Sequence, residues 1–391
     1  MLGREARALF SELHTISDPL KWAERAGYSF SHIDYPFELA ELTCPEGSVE
    51  FKSISNAVDL IKKIESAAPI LIHATDVTVI VWNWGGDESH KRHYRYFLVS
   101  TNGDLLCELP DNADYWLKFF PFLEQTSDHV YDLSSIDNID CYEITEPHFF
   151  AAGSMHFGHW VADTLPLIIL GSELADHHIL TTQLNDNASF ILKRYMKKAT
   201  INLSQIDMSH NQLKRFLFRE LKLISNLGPR RKNKILRDFS PERDICPRIS
   251  GNGLCYLLRG TVDGVTRLKN EDEILRLCEQ YHVDVIDPAT TRFLRSEGIF
   301  RRYHTFIFLN SSVNTNFNVL AADNSRAVNF LSDSHLSTDL SVVLGSSVYL
   351  ASRLKDMQFG LAKSLDGSQS LAGEVEIPID ILRTYLVDSI Q

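Results

Sequence analysis

Between Pro69 and Leu109, apolar and β-branched residues come in runs, ILIHATDVTVIVW, YRYFLVS and LLCEL, broken by GGD and TNGD. Runs of this kind predict strands joined by turns, with a hairpin at Asn102-Gly103. Upstream, AVDLIKKIESA from Ala57 carries a helical period instead. From Gly153 to about Asn226 the two periods alternate: HWVADTLPLIIL predicts a helix, HHILTT from His177 a strand, ASFILKRYMKK from Ala188 a helix, and KLISN follows. The stretch GPRRKNKILRDFSPERDICPRISGNG, residues 228–253, breaks the rhythm with charge, proline and glycine and marks a domain boundary. Beyond it the alternation resumes, with strands at LCYLLRG, VDVID, TFIFL and RAVNFL, helices at EDEILRLCEQY and from TNFNVLAA, and a last helix, IPIDILRTYLVDSI, placed to pack back across the molecule. Strands alternating with helices predict an α/β fold with a mostly parallel sheet, built as two Rossmann-like domains facing a cleft, residues 1–235 and 236–391. No internal repeat or low-complexity tract interrupts this plan.

Composition narrows the function classes. A formal charge of −12 over 391 residues argues against broad binding to nucleic acid or anionic membranes. Basic residues gather locally in GPRRKNKILR and in FRRYH around Arg301, where a solvated face or a linker is the simplest reading. The six cysteines form no close CxxC pair, so zinc-ribbon and thioredoxin readings fall away and a reducing cytoplasm is the expected compartment. No window approaches 18 uninterrupted apolar residues, and no cationic leader precedes an apolar core. A soluble protein is expected, with peripheral attachment to a membrane surface left open.

Candidate chemistry lies at two places. His159 and Asp163 stand four apart, on one helical face, followed by Pro166, which is expected to break or kink the helix. A carboxylate so placed orients an imidazole and raises its basicity. His156 and His159 form an HxxH, but no third ligand follows at metal-binding spacing, and no metal is expected. The second place is YLLRGTVDGVTRLKNEDEI. Arg259 and Arg267 flank a helix start, where guanidinium groups suit bidentate phosphate contacts; Asn270 with Glu273 reads as a capping box, and the acids Glu271 to Glu273 suit a helix N-terminus. Asp284 and Asp287 read as strand-end residues. Strand Thr305 to Leu309 runs into a polar loop, Asn310 to Asn316, whose amides and hydroxyls at Ser311, Ser312 and Thr315 are apt for a diphosphate or ribose. Neither GxGxxG nor GxxxxGK[ST] occurs, which disfavours dinucleotide and P-loop enzymes.

The order HWVADTLPLI, YLLRG with TRLKNEDEI, then FIFLNSSVNTNFNVLAADNSRAVNFL resembles the motif series of family 61 glycosyltransferases, over about Gly153 to Leu331. That group includes plant xylan-decorating enzymes, animal O-linked N-acetylglucosaminyltransferases and bacterial capsule-type enzymes. The resemblance implies a GT-B fold and an inverting, metal-independent transfer, without a further cofactor, from a nucleotide-sugar, a UDP-sugar first. The acceptor would be a hydroxyl of a glycan or lipid-linked molecule in surface polysaccharide biosynthesis, in the cytoplasm or at the inner face of the membrane. It places His159, Trp160, Asp163 and Pro166 on the family's His-Trp-x-x-(Asp/Glu)-x-x-Pro. Arg259, Arg267, Asn270 and Glu271 fall on its Arg...Arg-x-x-Asn-Glu segment, and Asn316 on the Asn closing the nucleotide-side loop. His159 is thus the first choice of base, oriented by Asp163, with Asp163 acting directly the second, and Arg259, Arg267, Asn270, Glu271, Asn310, Ser311, Ser312 and Asn316 are expected around the donor. One departure stands out. The family's loop commonly reads Gly-x-His-Gly-Ala before that Asn, whereas this chain has Asn310-Ser311-Ser312-Val313, and without glycine the backbone approaches a phosphate less closely. A non-catalytic nucleotide-sugar sensor or assembly subunit is therefore the alternative expectation.

Overall fold

A computed structural model describes residues 12–16, 18–35, 65–83, 94–106, 124–127, 130–132, 139–153, 160–174, 177–182, 184, 186–195, 202–206, 208, 212–225, 227–239, 253–259, 267–287, 302–310, 325–332, 357–365 and 373–390. The chain divides into two compact units, Met1–Pro36 with Glu65–Gly228 and Phe37–Ile64 with Pro229–Gln391. The architecture is mixed α/β.

The first unit contains β1 (Glu12–Ile16), α1 (Pro19–Ala26), β2 (Ser29–His32), β3 (Ile70–Asn83), β4 (Tyr94–Val99), β5 (Asp104–Leu106), β6 (Glu124–Ser127), β7 (Val130–Asp132), β8 (Cys141–Ile144) and β9 (His148–Phe150). A π-helical turn (Trp160–Thr164) then runs into α2 (Leu165–Leu174), followed by β10 (His178–Thr182), α3 (Asp186–Tyr195), β11 (Leu203–Ile206) and β12 (Leu213–Ser225). Its sheet is organised on two long strands. β3 and β12 pair antiparallel from Leu213 opposite Trp82 to Ser225 opposite Ile70. Shorter strands flank them, β2 and β4 on β3 and β8 and β9 on β12. Both faces of β3 are largely buried, which is why its sequence reads as an apolar run rather than an alternation. The sheet is parallel from β9 through β10 to β11. Parallel pairing also joins β12 to β8 and β9, and β1 to β5. The expectation of a mostly parallel, Rossmann-like sheet fails in the middle of this unit, where β12, β3, β4 and β5 pair antiparallel, β3 and β12 across a separation that sequence periodicity does not encode.

Local rules account for the pieces. Asp18 caps α1 by accepting from Leu20 and Lys21 N–H at 3.0 and 3.3 Å, Pro19 follows it, and Gly27 closes the helix at φ 70°. The expected turn at Asn102-Gly103 is present, with Gly103 at φ 79° and β4 paired to β5. Arg25 forks onto the buried Asp104 carboxylate at 2.9 and 3.0 Å, and Trp22 donates to its carbonyl, which docks α1 against that hairpin. Pro166 does not end its helix. It is the second residue of α2, and the wider π turn gives way to α geometry where the proline N–H is missing. The helix predicted from Ala57 lies outside the described residues up to residue 64; residues 65 and 66 are helical.

The second unit comprises α4 (Pro229–Asp238), β13 (Leu254–Leu257), β14 (Arg267–Leu268), α5 (Glu271–Gln280), β15 (Asp284–Ile286), β16 (Thr305–Leu309), β17 (Arg326–Ser332), β18 (Met357–Ser364), β19 (Glu374–Glu376) and α6 (Ile379–Ile390). The basic stretch at Pro229 is thus a helix rather than a linker, with Asn233, Ile235 and Leu236 buried and Lys234 paired to Asp238 one turn on. Strands β15, β13, β16, β17 and β18 lie side by side, all parallel. The short apolar runs of β13 and β16, in the middle of the sheet, are buried on both faces. Ile274, Leu277 and Cys278 of α5 and Leu382 and Leu386 of α6 complete the core, so the terminal helix packs on its own unit.

Candidate functional site

Numbered by their order in the chain, the five parallel strands of the second unit run 2-1-3-4-5 across the sheet. The order reverses between β13 and β16, and in open α/β sheets ligands bind beyond the carboxyl ends of strands at such a reversal. Leu257 lies opposite Phe308, so Arg259 and Asn310 each follow that pair by two residues and leave the sheet at neighbouring places. α5 begins beside them. The Arg259 N–H donates to Glu271 Oε1 at 3.1 Å, tying the end of β13 to the first residue of α5.

This corner is electrostatically tense. Burial pushes the Glu271 carboxyl above the usual range, with Asp272 and Asp287 adding to the effect and the Arg259 N–H opposing it. Burial likewise lowers the Arg259 guanidinium, against the pull of Glu271. Tyr256, fully buried beneath, is pushed well up, first by burial and then by the Glu271 charge. A half-buried guanidinium is a strong fork for phosphate oxygens, and a carboxylate at a helix start accepts from ribose hydroxyls. Asn310 is buried; its N–H donates to the Phe330 carbonyl at 2.8 Å, and its Oδ1 accepts from Asn329 Nδ2 at 3.3 Å.

Other expected residues are placed differently. Arg267 is exposed on β14, where its N–H donates to the Gly373 carbonyl. Asn270 is buried and occupies the cap position of α5 without a side-chain cap bond, so the expected capping box does not form. Its amide instead clamps Ile377: Nδ2 donates to the Ile377 carbonyl at 2.8 Å, and Oδ1 accepts from the Ile377 N–H at 3.2 Å. A backbone segment more than a hundred residues away outcompetes the local cap, since it satisfies both halves of the amide. Ser311, Ser312, Thr315 and Asn316 lie outside the described residues, as do His156 and His159. Asp163 is half-buried within the π turn of the first unit. Asp284 accepts from the Tyr303 hydroxyl at 2.8 Å, a strand-end contact.

Sequence reasoning passed over Tyr256 and Asn329. Each is a polar side chain inside an otherwise apolar parallel strand, YLL and RAVNFL, and that mismatch was the available signal. Among the described residues no three His, Cys, Asp or Glu side chains gather as a metal site, and no helix is long and apolar enough to cross a membrane. No family model matches this chain, and no curated protein matches it.

Proposed function

We propose that this chain is an inverting glycosyltransferase of the GT-B kind, moving a sugar from a nucleotide-sugar, a UDP-sugar first, to a hydroxyl of a glycan or lipid-linked acceptor in surface polysaccharide biosynthesis. The observation that carries the reading is the reversal point of the second unit's parallel sheet, where the half-buried Arg259 meets Glu271 at the start of α5. Such a corner suits a nucleoside diphosphate: the guanidinium holds phosphate charge, helix N–H groups add to it, and the carboxylate takes ribose hydroxyls. In the transfer, Arg259 stabilises the departing diphosphate. On the sequence alone, His159, four residues before Asp163, is the proposed acceptor of the substrate hydroxyl's proton. The reaction is assigned to the cytoplasmic side of the membrane.

Calorimetry with UDP, GDP and CMP tests the donor half. Arg259→Ala is expected to weaken nucleotide binding on the order of 10- to 150-fold, the loss of a charge-assisted contact. Arg259→Lys should also weaken it, less severely, because an ammonium cannot fork. Unchanged affinity in both variants places the donor elsewhere. The loop Asn310 to Val313, which has no glycine, favours a second reading, a nucleotide-sugar sensor. Tight nucleotide binding with neither transfer nor donor hydrolysis decides for it.

A further inference from the structure

At the amino ends of the first unit's parallel strands β9 and β10, the imidazole of His148 has two partners that fix its chemistry. Nδ1 lies 2.7 Å from the Glu146 carbonyl oxygen, and Nε2 lies 3.0 Å from Ser204 Oγ. A carbonyl can only accept, so the ring proton sits on Nδ1 and Nε2 presents a lone pair to the Ser204 hydroxyl. Burial lowers the His148 pKa, the Glu146 carbonyl opposes this in part, and His178 and His177 lower it further, so the ring stays unprotonated at neutral pH. A nucleophile, a base and a group orienting the base thus follow one another, the order that activates a serine.

The sheet register presents the pair to one face. His148 lies beside His178 in the pairing of β9 with β10, and Ser204 lies beside Leu180, two residues on from His178, in the pairing of β10 with β11. Side chains two apart on a strand share a face, so His148, His178 and Ser204 stand on the same one. α2 packs on the other face, where a methyl added at Gly171 would stand 2.5 Å from the ring of Phe149, the residue after His148. His148 is buried, with the rings of His178 and Phe218 at 5.5 and 5.3 Å. Ser204 is half-buried on β11, the last strand at this end of the sheet among the described residues, and His178 is exposed. The base is shielded while the serine reaches solvent.

We propose that Ser204 and His148 form a nucleophile–base dyad that takes an acyl group from a carboxylic ester, a second activity of the first unit that is independent of the transferase reading. Ser204 Oγ attacks the ester carbonyl carbon as its proton passes to His148 Nε2. The carbonyl–alkoxy bond then breaks, and the alcohol leaves with that proton. Water, deprotonated by the same Nε2, attacks the acyl-serine; the carboxylic acid is released, and the proton returns to Ser204 Oγ. The ionisable groups acting on His148 are Glu146, His177 and His178, none of them a permanent cation. An uncharged acyl carbonyl suits such a setting, where a phosphoryl group would call for Arg or Lys.

The test uses the full chain. A fluorophosphonate probe, which labels activated serines, is added at neutral pH, and the adduct is located by peptide mass spectrometry. Labelling of Ser204 ahead of the other serines is expected. With p-nitrophenyl acetate, a burst of about one equivalent of p-nitrophenolate per chain should precede slower steady release. Ser204→Ala should abolish both signals. His148→Gln should slow labelling on the order of 100-fold, the loss of a general base. The adduct's position in the unaltered chain needs no variant, and it decides the matter if His148→Gln fails to fold. An adduct absent from Ser204 overturns the proposal, as does labelling of Ser204 at the parental rate in a folded His148→Gln chain.

Discussion

At the carboxyl end of β13, Arg259 and Glu271 are charged and half-buried, whereas in the first unit Trp160, Thr164 and Thr181 carry neutral polar atoms that are wholly buried. The two sets of groups tolerate burial differently. A lone hydroxyl out of water costs about 1–3 kcal/mol, which a fold can absorb. An isolated ion costs far more, so Arg259 and Glu271 stay partly hydrated and lean on each other.

The sharpest way to break that division is to remove the proposed proton acceptor. His159→Ala is expected to cut transfer roughly 100-fold or more, in the range of lost general-base catalysis, while nucleotide affinity measured by calorimetry stays at the parental value. Comparable turnover in a folded variant would take His159 out of the mechanism. Asp163→Asn should lower turnover less, and shift its pH profile, if the carboxylate acts through the imidazole.

A structural intervention comes next. Gly171→Ala places a methyl against the Phe149 ring, a side chain with no exposed surface, and overpacking of this kind costs about 1–3 kcal/mol. Chemical denaturation should show that loss. Full stability would mean that Phe149 has room to rotate away.

The smallest effect is on pH dependence. His148 donates from Nδ1 to the Glu146 carbonyl at 2.7 Å and pairs through Nε2 with the Ser204 hydroxyl at 3.0 Å, while the His178 ring lies 5.5 Å away. Burial lowers its pKa, the Glu146 carbonyl partly opposes this, and the nearby His178 and His177 lower it further. The folded state therefore resists a proton that the unfolded chain accepts near pH 6.5. Stability from His148 is complete above that pH and declines as pH falls below it toward the folded value. Melting curves between pH 7.5 and about 5.5 should show a shallower decline for His148→Gln than for the parent. Parallel declines would assign the effect to other groups.

Much of the second unit was legible because short, doubly buried strands leave compact apolar runs. TFIFL gives β16 residue for residue, and EDEILRLCEQ gives α5. Arg259 was also nameable from its residue type beside a helix start, and Glu271 from the motif resemblance alone. Their contact was not, since a backbone N–H bonded to a side chain twelve residues on is a product of how α5 folds back to the strand end. In the first unit, HWVADTLP signalled a helix, but its π geometry depends on how the chain accommodates Pro166 and packs Thr164 against Gly153. KLISN was visible as a fragment, whereas the full length of β12 depends on β3 beside it.

By itself the sequence determined what local energetics decide: where apolar periods run, where Asp18 and Gly27 begin and end a helix, and where Asn102-Gly103 turns the chain. Tertiary structure decided what depends on partners far apart in the chain. It drew Asn270 from its cap to Ile377, set β3 antiparallel to β12, and left the polar atoms of Trp160, Thr164 and Thr181 buried without partners. The physical reason is the same in each case. Local propensities amount to about 1 kcal/mol or less per residue, and long-range burial and hydrogen bonding override them wherever the two compete.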